Sequence, residues 1–145
     1  MSKVEDFLTK SEEAAVIEAI RLAETATSGE IRIHIEKTTS KAAYERALEV
    51  FHMLEMHQTQ LKNGVLIYVA VEDRAFAICG DQGIHEIVGD DFWDKTKEVM
   101  AHHFKAGRFM QGLVDGITMA GEQLKTHFPC AEDDTNELSN EISVG

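Results

Sequence analysis

The residues most able to do chemistry in this chain are carboxylates set around glycines. Asp81 lies within Gly80-Asp81-Gln82-Gly83, Glu86 follows closely, and Asp90-Asp91 come directly after Gly89. A Gly-rich loop bends sharply and lets backbone approach a ligand, so Asp81 and Asp90 can converge. Two carboxylates about 4 Å apart repel by roughly 4 kcal/mol at an effective dielectric of about 20. A shared proton or a cation relieves that repulsion. Every donor here is a hard oxygen, which favours Ca²⁺, with Mg²⁺ as the alternative, over zinc. Flexible loops suit the adaptable coordination of Ca²⁺ better than the strict octahedron of Mg²⁺. The spacing is not that of an EF-hand. The same residues also fit plainer roles, with Asp90 or Asp91 capping a helix and Asp81 filling a turn.

The elements that must position these groups can be read from periodicity. Thr9-Lys10-Ser11-Glu12 fits a capping box, and Val16, Ile17, Ile20 and Ala23 recur at helical spacing until Ser28-Gly29. Glu30 to Glu36 alternates, as a strand with one buried face does. A second helix is expected from about Ser40 to Leu61, with Ala47, Val50, Phe51 and Leu54 on one stripe. Val65 to Val71 is apolar on both faces and predicts a central strand, parallel to the first through a right-handed crossover. The short link Glu72-Asp73-Arg74 makes the strand Ala75 to Cys79 antiparallel to it. Glu30, Asn63 and Asp81 then share one sheet end, and Glu36, Glu72, Asp73 and Arg74 the other. An apolar turn from Ile84 to Val88 precedes helices from about Phe92 to Lys105 and Phe109 to His127. Gly112, Gly116 and Gly121 read as contacts that let the last helix approach the sheet. The class is α/β, a three-layer α/β/α sandwich with a small mixed sheet and helices on both faces.

Composition narrows the function. Fourteen Lys and Arg stand against 26 Asp and Glu, a formal charge of −12. That balance argues against nucleic acid, whose phosphates need a basic footprint, and against an anionic membrane surface. No apolar run approaches the length of a membrane span, and Met1 to Asp6 lacks the layout of a signal peptide. A cytoplasmic location is expected. Residues 1–128 form the domain. Residues 129–145 carry Glu132, Asp133, Asp134, Glu137 and Glu141 with no Lys or Arg, and are expected to be an unstructured acidic tail. Cys79 and Cys130 are too few for a disulfide framework, and the histidines show no zinc spacing. No Gly-x-Ser-x-Gly elbow, phosphate-binding loop or dinucleotide fingerprint is present.

The segments Ser28-Gly29-Glu30-Ile31-Arg32-Ile33, Asn63-Gly64-Val65-Leu66-Ile67-Tyr68-Val69-Ala70 and Gly80-Asp81-Gln82-Gly83-Ile84-His85-Glu86 together resemble the TPM domain family, often labelled TPM phosphatase. Phe104-Lys105-Ala106-Gly107 and the Gly112/Gly116 spacing fit its closing helices, and the resemblance spans roughly residues 5–128. It implies an α/β/α sandwich, a divalent-cation site made of acidic residues, and an acid phosphatase activity reported in some plant members. Other members serve photosystem maintenance or act as receptor accessory subunits. By position, Asp90 best matches the acidic residue after the Gly-x-x-Gly loop, with Asp81 and Asp91 as companions and Glu86 further out. Glu30 joins this set through the topology. The chain departs from many members in lacking the export signal and membrane anchor. The reading is therefore a cation-binding accessory module that meets a protein partner. The alternative is a metal-dependent phosphatase acting on small phosphomonoesters.

Overall fold

Helix α1 (Lys10–Glu24) starts where Thr9 folds back onto it. The Thr9 hydroxyl accepts from the Glu12 N–H at 3.1 Å, and the Glu12 carboxylate accepts from the Thr9 N–H at 3.0 Å. This satisfies two donors that a bare helix end leaves open. Strand β1 (Glu30–Glu36) and helix α2 (Ala43–Met53) follow, then a 3₁₀ turn (Met56–Gln58), β2 (Gly64–Ala70) and β3 (Ala75–Gly80). The chain continues through α3 (Gln82–Val88), α4 (Asp94–Lys105), α5 (Phe109–His127) and β4 (Ser143–Val144). The computed structural model describes residues 8–58, 62–88, 92–129 and 142–144.

The sheet order is β3-β2-β1-β4. β1 and β2 run parallel from Glu30 opposite Gly64 to Glu36 opposite Ala70. β3 is antiparallel to β2, with Val65 opposite Gly80 and Ala70 opposite Ala75. Alternation then sorts the side chains onto two faces. Ile31, Ile33, Ile35, Val65, Ile67 and Val69 pack against Val16 and Ile20 of α1, Met100 of α4, and Leu113 and Ile117 of α5. Leu66, Tyr68, Ala77 and Cys79 pack against Ala47, Val50 and Phe51 of α2. Each large aliphatic side chain so buried contributes about 1.5–3 kcal/mol. The result is the expected three-layer α/β sandwich around a mixed sheet. No helix among the described residues is long and apolar enough to cross a membrane.

Several boundaries differ from the sequence expectation. α2 stops at Met53, and Glu55 takes a left-handed conformation (φ 58°), so the helix does not run on to Leu61. Ile84 to Val88 is helix rather than turn, because the Asp81 carbonyl accepts from both Ile84 N and His85 N. Part of the segment 129–145, expected to be unstructured, takes a place in the sheet at its far end. There Ser143–Val144 pairs in parallel with His34 and Ile35, where the edge of β1 offers open backbone groups. Residues 130–141 lie outside the described residues. The glycines of α5 face other helices rather than the sheet. A Cβ on Gly116 would sit 2.5 Å from Met100 Sδ, and one on Gly121 would sit 2.8 Å from Ala23 Cβ.

That last contact is testable, since Ala23 has no flexible end with which to yield. Gly121→Ala should lower stability in urea by about 1–3 kcal/mol through overpacking. Adding Ala23→Gly should recover part of the loss, and no recovery would mean that α1 and α5 do not meet there.

Candidate functional site

Gly64 organises the acidic end of the sheet. Glu30 of β1 lies opposite it on one side, and on the other the Asp81 N–H donates to the Gly64 carbonyl at 2.9 Å. Glu30 and Asp81 thus flank a residue with no side chain, roughly 10 Å apart across two strand spacings. Both are buried, at 4% and 7% exposure. Asp81 Oδ1 accepts from the Gln82 N–H at 2.7 Å, the turn role expected of it. Its Oδ2 is buried with no hydrogen-bond partner among the described residues. Leaving a buried acceptor unsatisfied costs about 1–3 kcal/mol, and more when it is charged. Asn63 is buried beside this end and donates from Nδ2 to Ser28 Oγ at 3.4 Å. Glu86 lies on the exposed side of α3, where Gln82 Nε2 donates to it at 3.1 Å. Asp90 and Asp91 lie outside the described residues. Among the described residues no group of three or more His, Cys, Asp or Glu is placed to hold a metal ion.

Two further residues belong to this end and escape sequence reasoning. Glu24, the last residue of α1, accepts the Ile31 N–H on Oε2 at 2.9 Å, while its Oε1 is buried without a partner among the described residues. Burial pushes its carboxyl up to about 7, the Ile31 N–H opposes the rise, and neighbouring Glu30 adds to it. Arg32 lies two residues along β1 from Glu30, on the same face, and its Nε is buried without a partner among the described residues. No local motif announces either residue, because their surroundings come from distant segments.

The other end of β1 is fully satisfied. Glu36, placed by the sequence in a weaker acidic set, is buried. It accepts from Arg46 Nε at 2.9 Å and Nη2 at 3.1 Å, and from the Tyr68 hydroxyl, with His34 Nε2 at 3.1 Å. Burial alone would raise its pKa, but these hydrogen bonds outweigh that and hold it at about 2. Burial lowers the pKa of His34, so the ring is neutral at pH 7, and its Nδ1 lies 3.0 Å from Ser143 Oγ. Both Glu36 oxygens are occupied, leaving no free base; the group ties α2 to the sheet. At the hairpin, Asp73 accepts from Thr38 Oγ1 at 2.9 Å and from the Thr39 N–H at 2.8 Å. Cys79 is a buried thiol that burial, with the Asp81 charge, pushes up to about 12.

The two glutamates should respond to pH in opposite senses. Folded Glu24 holds a proton between about pH 4.5 and 7 that the unfolded chain releases, so its contribution falls as pH rises through that window. Glu24→Gln should therefore raise stability at pH 8 by about 1–2 kcal/mol and change little at pH 4, read by urea denaturation at each pH. Glu36 contributes fully above about pH 4.5, and its contribution is lost as pH falls towards 2. Glu36→Gln should cost about 3 kcal/mol at pH 7 and should flatten the acid limb of the stability curve below pH 4.5.

The family model described as the TPM domain matches residues 1–123. The chain is similar to the BA42 protein of the psychrophilic bacterium Bizionia argentinensis, known from an NMR structure, with 56% identity, all of both chains covered and a TM-score of 0.92. It also shares its fold with the N-terminal domain of a protein from P. gingivalis, at 16% identity and a TM-score of 0.68, covering 84% of this chain and 79% of that one. No curated protein matches it. With more than half its length matched by the family model, and the expected sheet and flanking helices in place, the chain belongs to the TPM domain family.

Proposed function

We propose that this TPM domain is a divalent-cation-binding module whose acidic sheet end, once it holds the ion, serves as an accessory surface for a protein partner. The observation that carries the reading is the buried, unpartnered Oδ2 of Asp81. An anionic oxygen in that position gains from a cation more than from any other ligand. Asp81 and Glu30, with Asp90 and Asp91 from the segment that follows in sequence, supply only hard oxygens, which suits Ca²⁺ first and Mg²⁺ second. When bound, the ion would neutralise these carboxylates and join the Asp81 turn to the Gly89-Asp90-Asp91 segment.

Arg32 favours a second reading, a metal-dependent phosphatase. Its unpartnered Nε, on the face of β1 that carries Glu30, is a donor suited to a phosphate oxygen beside a bound cation. The other arginines of the described residues are spoken for or distant, Arg108 among them, since its Nε donates to His103 Nδ1. Arg46 is held by Glu36, Arg21 by Glu18, and Arg74 lies at the far sheet end. The accessory reading asks for fewer groups, since it needs neither nucleophile nor clamp.

Thermal unfolding with Ca²⁺ at about a hundred times its Kd should rise by roughly 10 °C, equivalent to about 2.7 kcal/mol, and fall back with chelator. Asp81→Asn and Asp90→Asn should each abolish the rise. The amide oxygen that Asp81→Asn leaves in place of Oδ1 can still accept from the Gln82 N–H, so that variant should remain folded. Absence of any ion-dependent shift in the parent protein overturns the proposal. Turnover of p-nitrophenyl phosphate that requires the ion and is lost in Arg32→Gln would establish the phosphatase reading instead.

A further inference from the structure

The sheet end opposite the acidic site holds a cavity of about 440 Å³ between the β2–β3 hairpin and the turn joining α4 to α5. That volume falls within the range of roughly 300–1,000 Å³ typical of small-molecule pockets. Its floor and walls are apolar, formed chiefly by Val69, Phe76, Ala101, Phe104 and Phe109. The Phe76 and Phe104 rings meet edge to face with centroids 5.1 Å apart, and Phe104 and Phe109 lie 6.0 Å apart, so the aromatic wall is continuous.

The polar side chains lining this cavity are both cationic, Arg74 and Lys105. In a chain of net charge −12 that sign is unexpected. Neither forms an ion pair with another described residue. Two acids of the elements around the cavity are held elsewhere. Asp73, adjacent to Arg74, is held by Thr38 and Thr39, and Asp115 is held by His103 and Gln111. Arg108 beside the second turn donates to His103 Nδ1 at 3.2 Å instead. Arg74 also occupies the left-handed region, with φ 52°, at a hairpin position where glycine would be relaxed. Backbone strain of this kind is found preferentially at binding sites.

We propose that this cavity binds a small amphiphilic anion, a medium-chain carboxylate, with its apolar chain against the Phe76–Phe104–Phe109 wall and its carboxylate between Arg74 and Lys105. The site is separate from the acidic end and owes nothing to a cation. An uncharged ligand of the same shape would leave both cations unpaired, and a cationic one would meet repulsion. The carboxylate is selected by charge and the chain by apolar contact.

Octanoate titrated into the full chain in chelator-containing buffer should shift the amide resonances of Phe76, Phe104 and Gly107 in a saturable manner. Octanol should bind about tenfold more weakly, and octylammonium should not bind. Arg74→Gly should weaken octanoate about tenfold while raising the melting temperature, since glycine accepts the left-handed turn. Lys105→Gln should weaken it comparably, and Ala101→Leu should block it by filling the cavity. Octanol binding as tightly as octanoate, shifts mapping elsewhere, or no shift to the solubility limit would each overturn the proposal. Because the metal is chelated throughout, none of these outcomes bears on the cation site.

Discussion

The structure depends on a central strand that has no polar face. Every residue of β2 from Gly64 to Ala70 is buried, so the strand cannot lie at an edge or face water on either side. Its backbone groups require β1 and β3 as neighbours, and its two rows of side chains require helices above and below. α1, α4 and α5 supply one layer and α2 the other. With the middle of the sheet committed to packing, ionisable groups collect at its two ends and along the polar, α2-facing row of β1.

The two ends have been settled differently. Around Gly64 both Glu24 and Asp81 keep a buried oxygen with no donor among the described residues. Around Glu36 the account closes, with Arg46, Tyr68 and His34 meeting both carboxylate oxygens. Arg46 is only partly buried, with a quarter of its side chain exposed, so the guanidinium keeps some hydration while it neutralises Glu36. This lessens the desolvation cost that makes fully buried ion pairs poor stabilisers. One end is therefore closed by its own hydrogen bonds, and the other keeps buried acceptors open.

Much of the fold was legible in the sequence because its signals are local. The capping box at Thr9, the apolar run of β2 and the short hairpin link each need only a few neighbouring residues. The fate of the polar row of β1 was not legible. Alternation assigns His34 and Glu36 to one face, but whether that face is wet depends on Arg46 and Tyr68, which lie 10 and 32 residues from Glu36. The end of α2 was missed because no glycine or proline lies between Met53 and Asn63; the break at Glu55 has no compositional mark. α3 is too short for a helical period to show. Of the acidic site, the placement of Glu30 and Asp81 at one sheet end followed from strand directions alone. The demand created there by Glu24 and Arg32 arises only when α1 and β1 are brought together.

Cys79 gives the chain a built-in clock. Its thiol is buried in β3 beneath α2 and titrates near 12, so at neutral pH almost none of it is thiolate in the native state. Alkylating and oxidising reagents act on thiolate, and they cannot reach this one without separating the helix from the sheet. A slow reagent would then label Cys79 in proportion to the fraction of molecules open at that layer, and a fast one at the rate of opening itself. The same burial protects the residue from sulfenic acid formation, so oxidative damage at this position would be a record of past excursions from the folded state.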